Sequence, residues 1–484
     1  MLDIATFSAS GLDLNREGIL AALELMLTDL RLPPAIGELI RGLVAVDRRD
    51  RWDLDRAEKF LLNITPPNDD APLFNPLGYA LHSRAPSREL RLDVADTVAG
   101  ISRFILSKSR LGRRDSLWPS SPEVFLTNPV NLQYGAAGTA YFLLRSNGFV
   151  PDEVLDWIFE VGRRSTCPPG LARGYSGTAL LLLEAGRHEQ AKAMLELGAG
   201  SPILEQESGL YLGSSGWGLV QLHFWHRLGE SQYLTSALEI GKQLADSARE
   251  MPEGVVWTRQ SRHSHGLFDG PSGVALFLIY LAAASGDNSF LDLARRALSF
   301  DLANRRESGA DLLWYPYLNS PPSEPLSPHL WFGTAGIGAA LIRAWAVTGD
   351  PELLAWAKRC AATVANRYTN KIWYDFGLSG YGELQLDFYH FLGEQQYLQT
   401  AWHLSEAILP HRVSKPEGYV FAGRDFHRLC CDLGWGSAGI GIFLNRLLEP
   451  ATPRLFMLDD LLSESLRRRD RATVTQAAEL AERK

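Results

Sequence analysis

The sequence predicts an all-α protein: an α/α toroid of seven inner and seven outer helices, with a small helical appendage at the N-terminus. Three observations lead to this prediction. A Gly-x-x-Gly pair followed by an apolar helical run occurs seven times, and amphipathic segments alternate with these runs. Residues 213–234 and 377–398 are also identical at most positions. A repeat length of roughly 40 to 60 residues is typical of two-helix repeat architectures.

The glycine pairs mark the start of the predicted inner helices. The run from Val274 is apolar nearly all round, as are its counterparts, and such helices are buried on every side. In a closed ring the loops gather on one face, where free N–H groups at the helix N-termini would suit a thiolate, enolate or phosphate. The alternative is that the glycines only permit close packing. The pairs are Gly135/Gly138, Gly174/Gly177, Gly213/Gly216, Gly270/Gly273, Gly333/Gly336, Gly377/Gly380 and Gly436/Gly439.

The outer helices follow glycines that can end a helix in the left-handed conformation. The helix after Asp350, for example, carries acidic residues in its first turn and basic ones later, as the helix dipole favours. The segment from Leu90 to Leu106 supplies the seventh outer helix. The last inner helix, Gly439 to Leu447, is as apolar as the others, which favours a closed ring over an open solenoid with polar ends. The capping glycines are Gly148, Gly186, Gly229, Gly286, Gly349 and Gly393.

Composition excludes several classes of protein. The chain has 484 residues and a net charge of −8, which argues against a dedicated nucleic-acid binder. Its four cysteines are irregularly spaced, so we expect no disulfide framework and a reducing cytoplasm. The first eleven residues do not resemble a signal peptide. The longest apolar stretch, Val274 to Ala284, is shorter than the roughly 20 residues that span a membrane.

Four segments that flank the glycine pairs carry a family resemblance. Residues 127–138, 266–277, 332–338 and 431–439, in this order, resemble the lanthionine synthetase C-like family, and in particular the cyclase domain of the class III, kinase–cyclase lanthipeptide synthetases. The resemblance implies that peptide Cys thiols add to dehydroalanine or dehydrobutyrine to form thioether rings. The partner that it implies is a ribosomal precursor peptide, with no nucleic acid and no membrane involved.

The chain divides into four predicted parts. Residues 17–62 resemble the last helices of a protein kinase C-lobe, so residues 1–66 are predicted to be a kinase C-lobe-like helical remnant. A linker over 67–87 leads to the cyclase-like toroid over 88–457, and a polar C-terminal tail covers 458–484. No Gly-rich phosphate loop, strand lysine or kinase catalytic loop is present. A separate kinase and lyase would therefore have to dehydrate the peptide.

The resemblance also implies where zinc would bind in related enzymes. Their two Cys and one His ligands lie beside the fifth and sixth glycine pairs. Here Trp331 stands in place of one Cys, and Asp375 and Phe376 stand in place of the Cys-His pair. Because tryptophan and phenylalanine cannot build a tetrahedral zinc site, we expect no metal and no other cofactor. The resemblance to class III enzymes implies that cyclisation can proceed without zinc.

Two positions associated with acid–base chemistry in this family are also changed. The His before the fourth glycine pair is Asp269 here, and an Asp near the third pair is Gly209. We predict Asp269, His263 and His265 as catalytic residues, because a histidine titrates near neutral pH; the alternative is that both histidines only belong to a loop. The predicted cavity and peptide-binding residues are Tyr211, Trp331, Asp375, Phe376, Asp432 and Trp435, with a loop-fixing role as the alternative for Asp432.

Three functions follow from these observations. The first is a zinc-independent cyclase that closes thioether rings. The second is a catalytically inactive scaffold that binds a precursor peptide for a partner synthetase, which the changes at Asp269 and Gly209 favour. The third is a carbohydrate-active α/α toroid, which would need paired carboxylates across its cavity; Asp269, Asp375 and Asp432 are candidates.

Overall fold

The computed structural model describes residues 16–30, 33–45, 47–64, 85–257, 263–367, 369–426 and 428–463. Most of the predicted linker, up to residue 84, lies outside this range, and so does the C-terminal segment 464–484. In the described residues the helices are, in chain order, α1 (Arg16–Leu30), α2 (Pro34–Leu43), α3 (Leu54–Asn63), α4 (Arg88–Ser107), α5 (Ala136–Asn147), α6 (Asp152–Gly162), α7 (Tyr175–Glu184), α8 (His188–Glu196), α9 (Ile203–Gln206), α10 (Ser214–Leu228), α11 (Ser231–Ser247), α12 (Pro271–Ser285), α13 (Asn288–Ala303), α14 (Thr334–Thr348), α15 (Pro351–Thr363), α16 (Leu378–Leu392), α17 (Gln395–Ile408) and α18 (Ser437–Leu448).

Seven of these helices form a closed inner ring, which confirms the predicted toroid. Helices α5, α7, α10, α12, α14, α16 and α18 each contact the next, and α18 contacts α5. Helices α4, α6, α8, α11, α13, α15 and α17 pack around them as the outer layer. The inner helices are buried over most of their length because both the outer layer and their neighbours cover them.

Each glycine pair is required by a close backbone approach. Every inner helix begins directly after the first glycine of its pair. A Cβ atom on the second glycine would lie 1.8 Å (Gly273) to 2.3 Å (Gly216) from the carbonyl oxygen of the residue six positions earlier. Because the loop folds back onto its own helix, any side chain there would displace backbone. Close packing therefore explains the second glycine of each pair.

The predicted capping glycines are also confirmed. All six have φ between +69° (Gly393) and +78° (Gly186), in the left-handed region. Helix α12 carries both kinds of glycine, since Gly273 lies in its first turn and Gly286 directly follows its last residue. A Cβ on Gly286 would meet no atom within 4 Å, whereas one on Gly273 would lie 1.8 Å from the Leu267 carbonyl oxygen.

This contrast gives a matched pair of variants. Gly273→Ala should lower the free energy of unfolding by more than about 3 kcal/mol, because backbone must move to admit the methyl group. Gly286→Ala should cost only about 1–2 kcal/mol, the strain of a left-handed alanine. Urea unfolding of both variants measures the difference. Equal destabilisation would show that the close approach at Gly273 is unimportant.

Short strands, which the sequence had not suggested, connect three outer helices to the next loop. They form three small antiparallel sheets: β1 (Arg249–Met251) with β2 (Gly254–Val256), β3 (Arg306–Ser308) with β4 (Asp311–Leu313), and β5 (Val413–Lys415) with β6 (Gly418–Ala422) and β7 (Leu429–Cys430). Two- to five-residue strands are too short to give a clear alternating pattern. They support the loops without altering the helical ring.

The first helix docks on the outside of the toroid. Helix α1 packs against α17. At this contact Asp29 accepts two hydrogen bonds from the Arg367 guanidinium, at 2.5 and 3.0 Å, and lies 3.3 Å from His403 Nε2. Burial raises the pKa of Asp29, but its bonds to His403 and Arg367 outweigh burial and lower it. The carboxylate is therefore ionised and tied to the toroid.

The chain after α18 turns back into the ring. We call residues 454–459 the C-terminal plug; all six are buried. Asp459 accepts hydrogen bonds from Arg343 of α14 and Tyr280 of α12, and Arg454 donates to Asp387 of α16. The predicted start of the polar tail at residue 458 was therefore too early. Leu458, Asp459 and Leu462 belong to the packed core because the inner helices supply polar partners and apolar cover for this segment.

Candidate functional site

The residues two positions before the first glycine of each pair form a ring, which we call the loop ring: Gln133, Ala172, Tyr211, Phe268, Trp331, Asp375 and Gly434. Backbone hydrogen bonds join most neighbouring members. For example, the N–H of Tyr211 donates to the Phe268 carbonyl at 3.0 Å, and the N–H of Gly434 donates to the Gln133 carbonyl at 2.9 Å. The backbone N–H of Asp375 in turn donates to the Gly434 carbonyl at 3.3 Å. Loops distant in sequence therefore meet around one centre.

Some of the first-turn N–H groups of the inner helices are already bonded within the protein, so the predicted row of free donors is not intact. In six helices an N–H of the first turn donates to a carbonyl of the preceding loop, as from Tyr175 to Pro168 and from Leu378 to Lys371, both at 2.9 Å. In α12 the N–H of Ser272 donates to the Asp301 carboxylate at 3.2 Å. The same folding back that requires the second glycine also satisfies these donors.

Trp331 is the centre of an aromatic wall. Its ring lies 4.5 Å from that of Tyr211, 4.8 Å from Phe268 and 5.9 Å from Phe376, centroid to centroid. Its indole N–H donates to Asp269 at 3.2 Å. Three predicted peptide-binding residues and one predicted catalytic residue thus come from four different repeats to one place.

The wall continues around the ring to the last and first repeats. The Phe376 ring stacks on Trp435 at 4.7 Å with 9° between the planes. The Trp435 indole N–H donates to the Tyr134 hydroxyl at 3.2 Å. The predicted residue Trp435 thus joins the wall through Phe376, and Tyr134 extends it.

Arg173 completes the circuit, and sequence reasoning missed it. Its guanidinium carbon lies 5.3 Å from the centre of the Tyr134 ring and 4.6 Å from that of Tyr211. Its Nε is buried without a hydrogen-bond partner. The side chain contacts therefore run around the loops through Tyr134, Arg173, Tyr211, Trp331, Phe376 and Trp435, and return to Tyr134.

Asp375 is the buried carboxyl of the loop ring. It is 2% exposed, and its Oδ2 accepts a hydrogen bond of 2.6 Å from Gln133 Nε2. Gly434 leaves room for this contact, since a Cβ there would lie 2.7 Å from the same oxygen. Burial, with a smaller contribution from Asp432, raises the pKa of Asp375 to about 7, although Gln133 and Arg173 act in the opposite direction.

Asp432 fixes the seventh loop. It is fully buried, and one carboxylate oxygen accepts bonds from the N–H and the hydroxyl of Ser121, both at 2.8 Å. The other oxygen accepts from the Trp435 N–H at 2.8 Å. Burial raises the pKa of Asp432 despite these bonds. The geometry fits the loop-fixing alternative.

Among the described contacts, neither predicted histidine touches a ring of the aromatic wall. His265 is 2% exposed, and its Nδ1 lies 2.8 Å from an Asp301 oxygen, so the ring points toward α13. The His263 carbonyl accepts from the Leu318 N–H, and burial, with Arg249 and His265, lowers the pKa of the His263 ring. These placements do not favour the catalytic roles predicted for the two histidines.

Gly209 has no room for the carboxylate that the family resemblance implied. A Cβ at this position would lie 2.6 Å from the Phe268 carbonyl oxygen and 3.2 Å from the Cα of Asp269. The backbone of the fourth loop occupies the space where that side chain would begin. Asp269, at the other changed position, lies beside Trp331 at the rim.

The residues present do not fit a zinc ion. Trp331 and Phe376 stack on each other, and the Asp375 oxygen nearest to Gln133 is already hydrogen-bonded. All four cysteines are buried, and burial raises the pKa of Cys167 and of Cys360 to about 12. Within the part of the chain that the structure describes, no three His, Cys, Asp or Glu side chains form a group able to hold a metal ion.

The residues missed by sequence reasoning share a simple signal. Gln133 and Tyr134 occupy the two positions before the first glycine pair, and Arg173 stands directly before Gly174. Aligning the seven repeats on their glycines would have placed all three beside Trp331 and Asp375. His329, four positions before its glycine, also belongs to this face; its Nδ1 lies 2.9 Å from the Tyr381 hydroxyl, and burial lowers the pKa of its ring to about 3.

The fold and site define a closed α/α toroid whose Gly-x-x-Gly loops carry an aromatic wall, a buried carboxyl and an arginine on one face. The lanthionine synthetase C-like protein family matches residues 201–459, more than half of the chain. The chain belongs to this family. Among the described helices none is long and apolar enough to cross a membrane.

Two known proteins show similarity over most of the chain. The probable SapB synthase of Streptomyces coelicolor is 28% identical over 350 residues, which cover 71% of this chain. They cover 36% of that protein, so the chain spans about a third of the length of this curated relative. The structure of nisin cyclase is similar with a TM-score of 0.53 at 15% identity, covering 78% of this chain and 98% of nisin cyclase. This second likeness concerns the fold.

Proposed function

We propose that this chain is a zinc-independent cyclase that adds peptide Cys thiols to dehydroalanine or dehydrobutyrine, forming thioether rings. The observation that carries the proposal is Asp375, a buried carboxyl in the loop ring with a pKa raised to about 7. Such a group can take up and release a proton near neutral pH. Membership of the lanthionine synthetase C-like family supports the choice of reaction.

In this proposal one carboxyl moves one proton. The Asp375 carboxylate takes the proton of the Cys S–H, and the thiolate sulfur attacks the β-carbon of the dehydroresidue. The S–Cβ bond forms, the Cα=Cβ electron pair moves toward the carbonyl, and an enolate results. Asp375 then gives its proton to Cα, which restores the carboxylate. Overall, the thiol proton ends on Cα, so no oxidant, reductant or cofactor is needed.

The absence of zinc is part of the proposal. Zinc-dependent relatives would form the thiolate on the metal, because coordination lowers the thiol pKa. Here the stacked pair of Trp331 and Phe376 lies where two of those ligands would stand. The proposed replacement for metal coordination is the Asp375 carboxylate, whose pKa near 7 is close enough to that of a free thiol, about 8.5, for proton transfer.

The aromatic wall suits a peptide with apolar side chains. Tyr211 and Trp331 are 5% exposed and Trp435 is 9% exposed, so Phe376, which stacks on Trp331 and Trp435, is the partly exposed ring that a peptide would meet. Aromatic residues contribute much of the energy at binding surfaces. We propose that the partner is a ribosomal precursor peptide. We propose that kinase and lyase activities outside the residues of this chain make its dehydroresidues from Ser or Thr.

The second candidate is an inactive scaffold that binds the same peptide. The observation that favours it is the low accessibility of Asp375, 2%, together with the changed positions at Asp269 and Gly209. The carbohydrate-active alternative has less support, because it needs two available carboxylates. Both Asp432 oxygens already accept bonds that fix the loops.

Ring closure with a dehydrated precursor separates the first two candidates. The wild-type protein should consume the free thiols of the peptide much faster than buffer at pH 7, and a strong zinc chelator should not change the rate. Thiol alkylation followed by mass spectrometry measures the consumption. Peptide binding, measured separately, serves as the control. Peptide binding with no increase in the rate of ring closure over buffer would support the inactive scaffold instead. Full inhibition by the chelator would contradict zinc independence.

A further inference from the structure

The Arg173 guanidinium lies between two tyrosine rings of the aromatic wall, which is an unusual environment for a cation. The Tyr134 and Tyr211 rings flank its guanidinium, and its Nε is buried without a hydrogen-bond partner. Among the residues that the structure describes, Arg173 forms no ion pair. Buried donors are normally hydrogen-bonded in folded proteins, so this Nε has an unused N–H donor for a bound ligand.

The backbone around Arg173 is held firmly. Its carbonyl accepts a hydrogen bond of 2.6 Å from Asn128 Nδ2, and its N–H donates to the Tyr211 carbonyl at 3.4 Å. Tyr134 is fixed in turn by Trp435. Burial raises the pKa of the Tyr134 hydroxyl, so that residue stays neutral and carries no charge to pair with the arginine. The guanidinium is therefore preorganised.

The ligand of such a group should be an anion. In each inner helix at least one N–H group of the first turn, a usual anion donor, is already bonded within the protein. Arg173 remains as a fixed donor on this face, near enough to Asp375 to act on its pKa. Because arginine presents several N–H donors in a rigid fork, it suits an oxyanion.

We propose that Arg173 binds the oxyanion that forms during ring closure, an inference that rests on the proposed function. As the thiolate sulfur bonds to Cβ, the electron pair of the double bond moves and charge develops on the adjacent carbonyl oxygen. Arg173 donates hydrogen bonds to this enolate oxygen. The charge is then neutralised when the Asp375 proton reaches Cα, and the arginine releases a neutral carbonyl. Donors placed where charge develops act on the transition state more than on the bound substrate.

The test uses Arg173→Gln and Arg173→Lys with a dehydrated, Cys-containing precursor. Arg173→Gln should lower kcat about 100-fold while KM and the peptide Kd stay within about threefold, because the lost bond forms in the transition state. Arg173→Lys should recover part of the rate, since it keeps the charge without the fork. Loss of the positive charge near Asp375 should also move the midpoint of the pH–rate profile to higher pH.

Arg424→Gln is the matched control. Arg424 also lies over an aromatic ring, that of Trp435 at 5.4 Å, but it pairs with Glu123 and Asp425. Its loss should leave kcat unchanged. Arg173→Gln with the wild-type kcat, or with weaker peptide binding as its main defect, would overturn the inference while the proposed function stands. A wild-type protein that closes no rings would overturn both.

Discussion

Asp375→Asn should slow ring closure at pH 7 by about 10²–10³-fold, because it removes the group proposed to carry the thiol proton to Cα. The amide keeps the shape of the side chain and can still accept a bond from Gln133. Binding of the peptide should therefore change little. The measurement is the rate of free-thiol loss from a dehydrated precursor at saturating enzyme.

The pH dependence of the ring-closure rate distinguishes proton transfer by Asp375 from a nonspecific loss of activity. In the wild type the rate should rise with pH through about 7, as Asp375 becomes the carboxylate that accepts the thiol proton. In Asp375→Asn the rate should instead rise near pH 8.5, about the pKa of a free thiol. A variant profile parallel to that of the wild type would remove Asp375 from the proposal.

The same substitution should stabilise the fold at high pH. The folded pKa of Asp375 lies above the ordinary value of 3.8, so ionisation costs more in the folded than in the unfolded state. The penalty is absent below pH 3.8, grows with pH and levels off above about pH 7. Asp375→Asn should therefore raise the free energy of unfolding at pH 8 by up to about 4 kcal/mol, and by nothing at pH 3. Denaturant unfolding at both pH values measures this, and a less stable variant at pH 8 would show that activity was lost through misfolding.

Asp269→Asn is the matched control for the carboxyl role. Asp269 accepts a bond from Trp331 on the same wall, and the sequence had nominated it as catalytic. If Asp375 carries the proton, the control should slow ring closure less than about tenfold. If Asp269→Asn instead slowed ring closure by about 10²–10³-fold while Asp375→Asn remained active, the proton transfer would be assigned to Asp269.

The repeat pattern was sufficient to predict the toroid. The second glycines and the six capping glycines are each required by local backbone geometry, which the spacing of the repeats records. The interior position of the inner helices followed from their apolar faces. The strands and the C-terminal plug could not be predicted, since their stability comes from contacts with helices far away in the sequence, such as Asp459 with Arg343.

The site was predictable wherever position in the repeat decides the location. Trp331, Phe376 and Asp375 come together because each stands one or two positions before a glycine pair. His265 shows the limit of this reasoning. His265 is close to its glycine pair in the sequence. The orientation of its ring, however, depends on the contact with Asp301 in the next outer helix, which the spacing of the repeat does not reveal. Whether the first N–H groups of the helices were free likewise depended on how the loops fold back.

A polar layer inside the ring explains how the plug is held. The tenth residue of each inner helix is polar, although the helices are otherwise mainly apolar: Arg145, Glu184, His223, Tyr280, Arg343, Asp387 and Arg446. Several of these contact the plug. His223 Nε2 lies 3.0 Å from the Phe456 carbonyl oxygen, and the Phe456 ring lies 6.0 Å from Phe268 of the loop ring. The plug thus connects the polar layer with the underside of the site.

The charges in this layer depend on one another. Arg343 lies 2.9 Å from Asp387 and 2.7 Å from Asp459, and Arg454 lies 2.5 Å from Asp387. Burial alone would raise the pKa of Asp387, but the surrounding arginines, Arg343 first, hold it well below its usual range. The contribution of ionised Asp387 to the stability of the fold is therefore present above about pH 4 and is lost as the pH falls further.

Asp459→Ala should lower the free energy of unfolding by about 3–5 kcal/mol, because it leaves the fully buried Arg343 with one carboxylate partner fewer. The control is Glu160→Ala, which removes a surface carboxylate paired with Arg163 at 2.7 Å and should cost less than about 1 kcal/mol. Urea unfolding at pH 7 compares them. Arg343→Met combined with Asp459→Ala should destabilise by less than the sum of the single changes, since both break the same contact. If Asp459→Ala costs no more than Glu160→Ala, the plug does not hold the ring together, and its buried charges serve another purpose.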